Sequence, residues 1–177
     1  MQSNVVLTAL AQGRPNILVL SIENTSWCEF VSYGNKCIEA PNIERLSNDG
    51  MIFKYAYSNA SPNSPARSQL IAGTYASTFA MEQYRSNPAT LPNLLCSQLL
   101  RYTGYCCTHN AKTDYNTTMD NISCWDECYN KNSYNSTVCP VGKFLFTVFN
   151  IGVIHMGRVR LRSDGHCKYI RRFISYK

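Results

Sequence analysis

The sequence predicts an α/β fold, a layered sheet with helices on both faces, and three observations lead there. Asn16-Ile17-Leu18-Val19-Leu20-Ser21-Ile22 is a continuous apolar run, the pattern of a strand buried on both sides. Lys143 to Ile151, centred on Phe144-Leu145-Phe146-Thr147-Val148-Phe149, is a second such run near the other end. Between them, stretches of helical spacing alternate with short apolar runs, which argues for strands and helices in layers. The 177 residues, 45% hydrophobic and 16% charged, suffice for one domain with a real core.

Taken in order, Asn16–Ile22 is the first strand. Pro41 to Asn48 has helical spacing through Ile43 and Leu46, with Gly50 as terminator. Met51 to Tyr57 reads as the second strand. Pro65 to Ala72 reads as a helix, with Ser64 as N-cap, Pro65 at the first helical position and Gly73 at its end. Leu91 to Tyr102 carries Leu94, Leu95, Leu99 and Leu100 at helical spacing and ends at Gly104. Tyr105 to Thr108 is a short strand. An Asn/Tyr/Ser-rich loop, roughly Asp114 to Gly142, precedes the last strand. No internal repeat or low-complexity segment occurs.

Charge is unevenly placed. Residues 158–177 hold seven of the 17 Lys/Arg and one of the 11 Asp/Glu, so the whole net charge of +6 lies there and the rest sums to zero. A basic end of this kind suits phosphate-rich partners, but a solvated tail is the plainer reading and no specific nucleic-acid binding is expected. Nine cysteines leave one over if the others pair. Cys124, Cys128 and Cys139 lack the second close pair or the His that a zinc site needs. Sequons begin at Asn24, Asn59, Asn116, Asn121 and Asn135. Val5 to Ala11 resembles the tail of a secretory signal, ending in Ala-x-Ala. No apolar stretch approaches the ~20 residues that span a bilayer.

The chemistry collects around Asn63-Ser64-Pro65-Ala66-Arg67-Ser68-Gln69-Leu70-Ile71-Ala72-Gly73. A strand, a sharp turn and a helix put position 63 at the positive end of a helix dipole, where an anion and a nucleophile can meet. Arg67 lies one turn inside that helix. Glu23-Asn24 follows the first strand and offers two oxygen ligands suited to a hard cation. Lys112 follows the strand after Gly104, and His155 follows the last strand. Ligands of open α/β sheets bind beyond the carboxyl ends of the strands, so these groups are expected on one rim.

These residues resemble the sulfatase family, of alkaline phosphatase-like fold. Asn63 to Gly73 is similar to its signature Cys-x-Pro-x-Arg, with Pro65, Arg67, Leu70 and Gly73 in register. Arg14-Pro15-Asn16-Ile17-Leu18, Tyr33-Gly34-Asn35, Ala40 to Leu46, Gly104-Tyr105, Lys112 to Asn116, Trp125-Asp126-Glu127 and Phe149-Asn150 extend the likeness in order. In that family the Cys, or Ser, becomes formylglycine, whose hydrate attacks sulfur. Here the nucleophile position is Asn63, and an amide cannot be so converted. Using Ser64 instead requires a one-residue slip.

The resemblance implies roles for the other residues. Arg67 would stabilise the nucleophile, Lys112 would contact sulfate oxygens, and His155 would serve the sulfate or the leaving oxygen. Glu23 and Asn24 stand where the family has an Asp-Asp pair on calcium, and the later ligands are missing, so the metal set is incomplete. A glycan on Asn24 would conflict with that role. Asp114 stands where many members carry a His.

The likeness covers residues 14 to 157 and stops where the basic run begins. The expected organisation is a signal remnant at 1–13, a partial sulfatase N-terminal domain at 14–157, and a basic tail at 158–177. By family the chain is a sulfuric ester hydrolase acting on a sulfated small molecule or glycan, secreted or periplasmic. This chain, read as truncated or frame-altered, is expected to have little or no activity. The competing readings are a non-catalytic binder of sulfated glycans and a related metal-dependent phosphoesterase.

Overall fold

The computed structural model describes residues 3–8, 13–36, 38–80, 82–84, 95–110, 112–117, 121–129 and 138–152. His155 and the basic segment 158–177 lie outside the described residues. A five-stranded sheet has the order β1-β2-β5-β3-β4, where β1 is Ser3–Thr8, β2 Ile17–Ile22, β3 Cys106–Asn110, β4 Glu127–Tyr129 and β5 Leu145–Ile151. The helices are α1 Pro41–Asp49, α2 Asn63–Ala72, α3 Cys96–Tyr102 and α4 Asn121–Cys124. Strands β2, β5, β3 and β4 run parallel, and β1 alone is antiparallel, against β2. The α/β expectation is met. The signal-like start, unforeseen as structure, contributes β1.

Register explains which face is the core. In β2 and β5 burial alternates, and Val19 pairs with Val148 while Ile17 pairs with Phe146. Cys107 of β3 pairs with the same Phe146, so one sheet face gathers Val19, Phe146, Val148 and Cys107. Ile71 of α2, Leu95 and Trp125 close over this face. The Trp125 ring stacks on Phe146 at 5.8 Å between centroids and 13° between planes. Burying side chains of this size contributes roughly 1.5–3 kcal/mol each. The opposite residues of β2 are only half-buried, so the apolar run that predicts a strand closed on both sides is closed on one.

Two anchors tie the segments around the sheet to β3. Asp126 accepts from the Cys107 N–H at 2.8 Å and pairs with Arg101 of α3 at 3.0 Å. A disulfide links Cys106 of β3 to Cys139, 33 residues on. That bond removes Cys139 from the thiols weighed as zinc ligands. Cys107 is fully buried, and burial with Asp126 nearby pushes its thiol up to about 12, so it stays protonated and inert.

Three element expectations are corrected. Met51–Tyr57 forms no strand: Met51, Phe53, Tyr55 and Tyr57 are 78, 67, 83 and 78% exposed. Its alternating apolar residues find no sheet edge to pair with among the described residues, and β-propensity without a partner strand makes no strand. The helix expected over Leu91–Tyr102 is described only from Cys96, after Leu95 as N-cap. The region expected as one loop, Asp114–Gly142, contains α4 and β4. By contrast α1 starts on Pro41 and stops at Gly50 as expected. No helix among the described residues is long and apolar enough to cross a membrane.

Candidate active site

Helix α2 begins two residues earlier than its capping pattern suggests. Pro62, in an extended conformation, is the N-cap, so Asn63, Ser64 and Pro65 form the first turn. Pro65 has no N–H, and Ala66 already donates to Pro62 at 3.1 Å. The backbone N–H groups of Asn63 and Ser64 are thus the ones this helix end leaves outside its ladder. Gly73 ends the helix at φ 66°, donating to Gln69 at 2.8 Å, a left-handed cap that favours glycine. Asn63 is half-buried and its Oδ1 has no partner. Ser64 is fully buried with its hydroxyl unpartnered, which seals it from an external ester.

Arg67 stands four residues after Asn63, on the same helix face. Its side chain is 4% exposed. Nη1 donates to Asn150 Oδ1 at 2.6 Å, and Nη2 donates to the Lys112 carbonyl. The guanidinium also lies over the Tyr115 ring, 5.4 Å from its centroid. Every one of these partners is neutral, and Nε has none. Among the described residues, a buried cation therefore stands without a carboxylate, an arrangement costly unless an anion completes it.

The loop after β3 brings Lys112 into the same corner. Lys112 sits at φ 53°, a left-handed backbone that turns its carbonyl onto Arg67 while its ammonium pairs with Glu23. The Ser68 hydroxyl shares its one proton between the Ser64 and Tyr115 carbonyls, fastening α2 to this loop. Glu23 follows β2, is 2% exposed, and receives the Lys112 ammonium on Oε1. Its other oxygen faces Gly152, where a Cβ would come within 3.4 Å. Glu23, Lys112, Arg67 and Asn150 thus meet beyond the carboxyl ends of β2, β3 and β5, the rim that the topology predicts. Asp114 is half-buried in the same loop.

Asn24 behaves differently. It is exposed, at φ 53°. Calcium takes six to eight oxygen ligands. The described residues offer one carboxylate, already paired with a lysine, and one solvent-facing amide. No group of three His, Cys, Asp or Glu suited to a metal occurs among the described residues. They do not make up a calcium site, and no chemistry is routed through one here.

Two residues of this corner carry no role in the sequence reading. His109 is fully buried on the core face of β3. Its ring lies 4.9 Å from Trp125, tilted, and 5.8 Å from Tyr115, edge-on, centroid to centroid. Burial, and then the Arg67 charge, lower its pKa from 6.5 to about 3, so the ring is neutral. Asn150 ends β5 on the same face as Phe146 and Val148. For Asn150 the available signal was parity, since it continues the buried alternation of β5 with a polar side chain; β3 is buried at four successive positions, so parity does not mark His109.

The sulfatase family model matches residues 15–145. An ulvan-active sulfatase from Formosa agariphila is 31% identical over 127 residues, covering 64% of this chain and 21% of its own length. N-acetylgalactosamine-6-sulfatase from Rattus norvegicus is 35% identical over 68 residues, covering 38% of this chain and 13% of its own. The Homo sapiens enzyme of the same name is 36% identical over 59 residues, covering 33% and 11%. The chain thus spans about a fifth or less of the length of these relatives. With the matched span covering most of its residues, this chain belongs to the sulfatase family.

Proposed function

We propose that this chain carries the anion-holding part of a sulfatase centre and binds sulfate esters with little or no turnover. The observation that supports it most is the Arg67 guanidinium, 4% exposed and held only by neutral groups. A tetrahedral monoanion placed between Arg67 and the start of α2 supplies the missing negative charge, with the half-buried Asn63 N–H group as a further donor. Lys112, neutralised by Glu23, adds a hydrogen-bond donor more than a net charge.

Turnover requires attack on sulfur, cleavage of the S–O bond, and a proton for the departing alcohol. Asn63 occupies the nucleophile position and has no group able to attack. Loss of a nucleophile costs several orders of magnitude in rate. His155 would protonate the leaving oxygen, and it falls outside the described residues. The divalent cation that sulfatases use finds no complete ligand set among the described residues. Sealing of Ser64 disfavours the phosphoesterase alternative, which needs a different nucleophile.

The names of the matched relatives support a sulfated sugar as the ligand class, and the Cys106–Cys139 bond supports an oxidising location, secreted or periplasmic. Residues 14–157 are the sulfatase part and 158–177 a basic extension to it. Titration of the 177-residue chain with inorganic sulfate and an aryl sulfate, beside Arg67→Met, tests the reading. Binding lost in the variant, with no sulfate released, is the expected result. Release of sulfate by the unmodified chain would overturn the inactive half, and equal affinity of both proteins would overturn the anion site. If Asn63→Cys, coexpressed with the maturing enzyme, restores hydrolysis, the defect is confined to position 63.

A further inference from the structure

We infer that His109 is a positioning residue: its Nε2 lone pair fixes the Asn150 amide so that Oδ1 holds Arg67. The inference rests on the proposed anion-holding role of Arg67 for its function, but not for its geometry. The orientation of Asn150 follows from partners that act in one sense only. A guanidinium can only donate, so the Asn150 atom 2.6 Å from Arg67 Nη1 is the carbonyl oxygen. The amide nitrogen then points the other way, where the Asn110 carbonyl, which can only accept, lies at 3.1 Å.

The remaining contact of that nitrogen is His109 Nε2, also at 3.1 Å. Since Asn150 Nδ2 donates, Nε2 must accept and the ring proton must sit on Nδ1. On that side the ring meets Cys128 Sγ at 3.8 Å, a soft acceptor for an N–H. Burial raises the Cys128 thiol, so it remains uncharged and does not draw a proton onto the ring. The Trp125 and Tyr115 rings flank the imidazole and hold its plane. Parallel pairing of β3 with β5 sets His109 opposite Val148, two residues before Asn150.

Two ring states would undo the arrangement. A proton on Nε2, by tautomerisation or by charging, sets donor against donor at Asn150. The amide then gains by turning over, which presents Nδ2 to the guanidinium and releases it. His109 reaches the anion only through two intermediaries, and its effect is on the aim of Arg67.

The experiment uses the whole 177-residue chain in three forms: wild type, His109→Gln, which keeps an acceptor, and His109→Leu, which removes it at similar volume. Long-range nitrogen–proton NMR reads the tautomer in the wild type, and hydrogen exchange of the Arg67 guanidinium reads its restraint. The expected result is the Nδ1–H form, unchanged between pH 8 and 5. Arg67 exchange should be about tenfold faster in the Leu form, with sulfate affinity weaker by a similar factor, and both near wild type in the Gln form. An Nε2–H or charged ring at neutral pH overturns the inference, whatever the variants do. So does equal Arg67 exchange in the Leu and Gln forms. Should the tautomer and exchange results hold while wild type fails to bind sulfate, the positioning role stands and the anion-site reading falls.

Discussion

The Arg67 corner and the Glu23–Asn24 corner lie on one rim, yet they are built in opposite ways. Arg67 is a buried cation held by neutral acceptors and an aromatic face, ready for a charge from outside. Glu23 is a buried anion whose charge is already answered from within by Lys112. Asn24 beside it faces solvent. The difference teaches that, among the described residues, one corner leaves its buried charge without a counter-ion while the other answers its own. Lys112 joins the two, offering its carbonyl to one corner and its ammonium to the other.

Lys112→Met should separate the corners most sharply. It leaves the Glu23 carboxylate buried and alone, at a cost of about 3–5 kcal/mol in denaturant unfolding. Adding Glu23→Gln should return most of that loss, and failure of the double variant to recover would mean the ion pair is incidental.

Arg67→Met acts on the other corner. Removing charge-assisted hydrogen bonds worth roughly 1.5–3 kcal/mol should weaken sulfate binding by about ten- to a hundredfold. His109 gives this corner a pH signature. Its pKa is lowered from 6.5 in the unfolded chain to about 3 in the fold, so the unfolded state binds the extra proton first. The stability this neutral ring confers is present above pH 6.5 and is lost as pH falls from there toward 3. Near pH 4.5 the loss from this one group should be about 2–3 kcal/mol. His109→Gln should flatten that part of the profile; an unaltered slope would assign acid sensitivity elsewhere.

Asn24→Gly should do least. The position is exposed at φ 53°, so glycine relieves backbone strain and stability should change by no more than about 1 kcal/mol. Sulfate binding should be unaffected. A marked loss would give Asn24 a role in the anion corner that its exposure argues against.

Much of this was legible in the residues themselves. Local chemistry marks β2 and β5 by apolar runs, α1 by Pro41 and Gly50, and the end of α2 by Gly73, because each is fixed by near neighbours. The motif from Asn63 to Gly73 likewise announces a helix and the family, with Asn63 where the family signature has its Cys. Met51–Tyr57 shows where such reading fails, since an alternating apolar segment becomes a strand only if an edge is there to receive it. The start of α2 at Asn63 rather than Pro65 turns on the extended Pro62.

What tertiary structure alone decided is who faces whom. Sequence separation of 83 residues between Arg67 and Asn150 carries no sign that they touch. The pairing of β3 with β5 puts His109 and Asn150 on one face, and that packing makes an unremarked histidine neutral. Apolar runs and capping residues thus determined β2, β5 and α1, and motif likeness the family, because each depends on residues close in the chain. Charge balance at the rim was decided by the fold, because burial and distance set electrostatic energies and neither is encoded by neighbours in the chain.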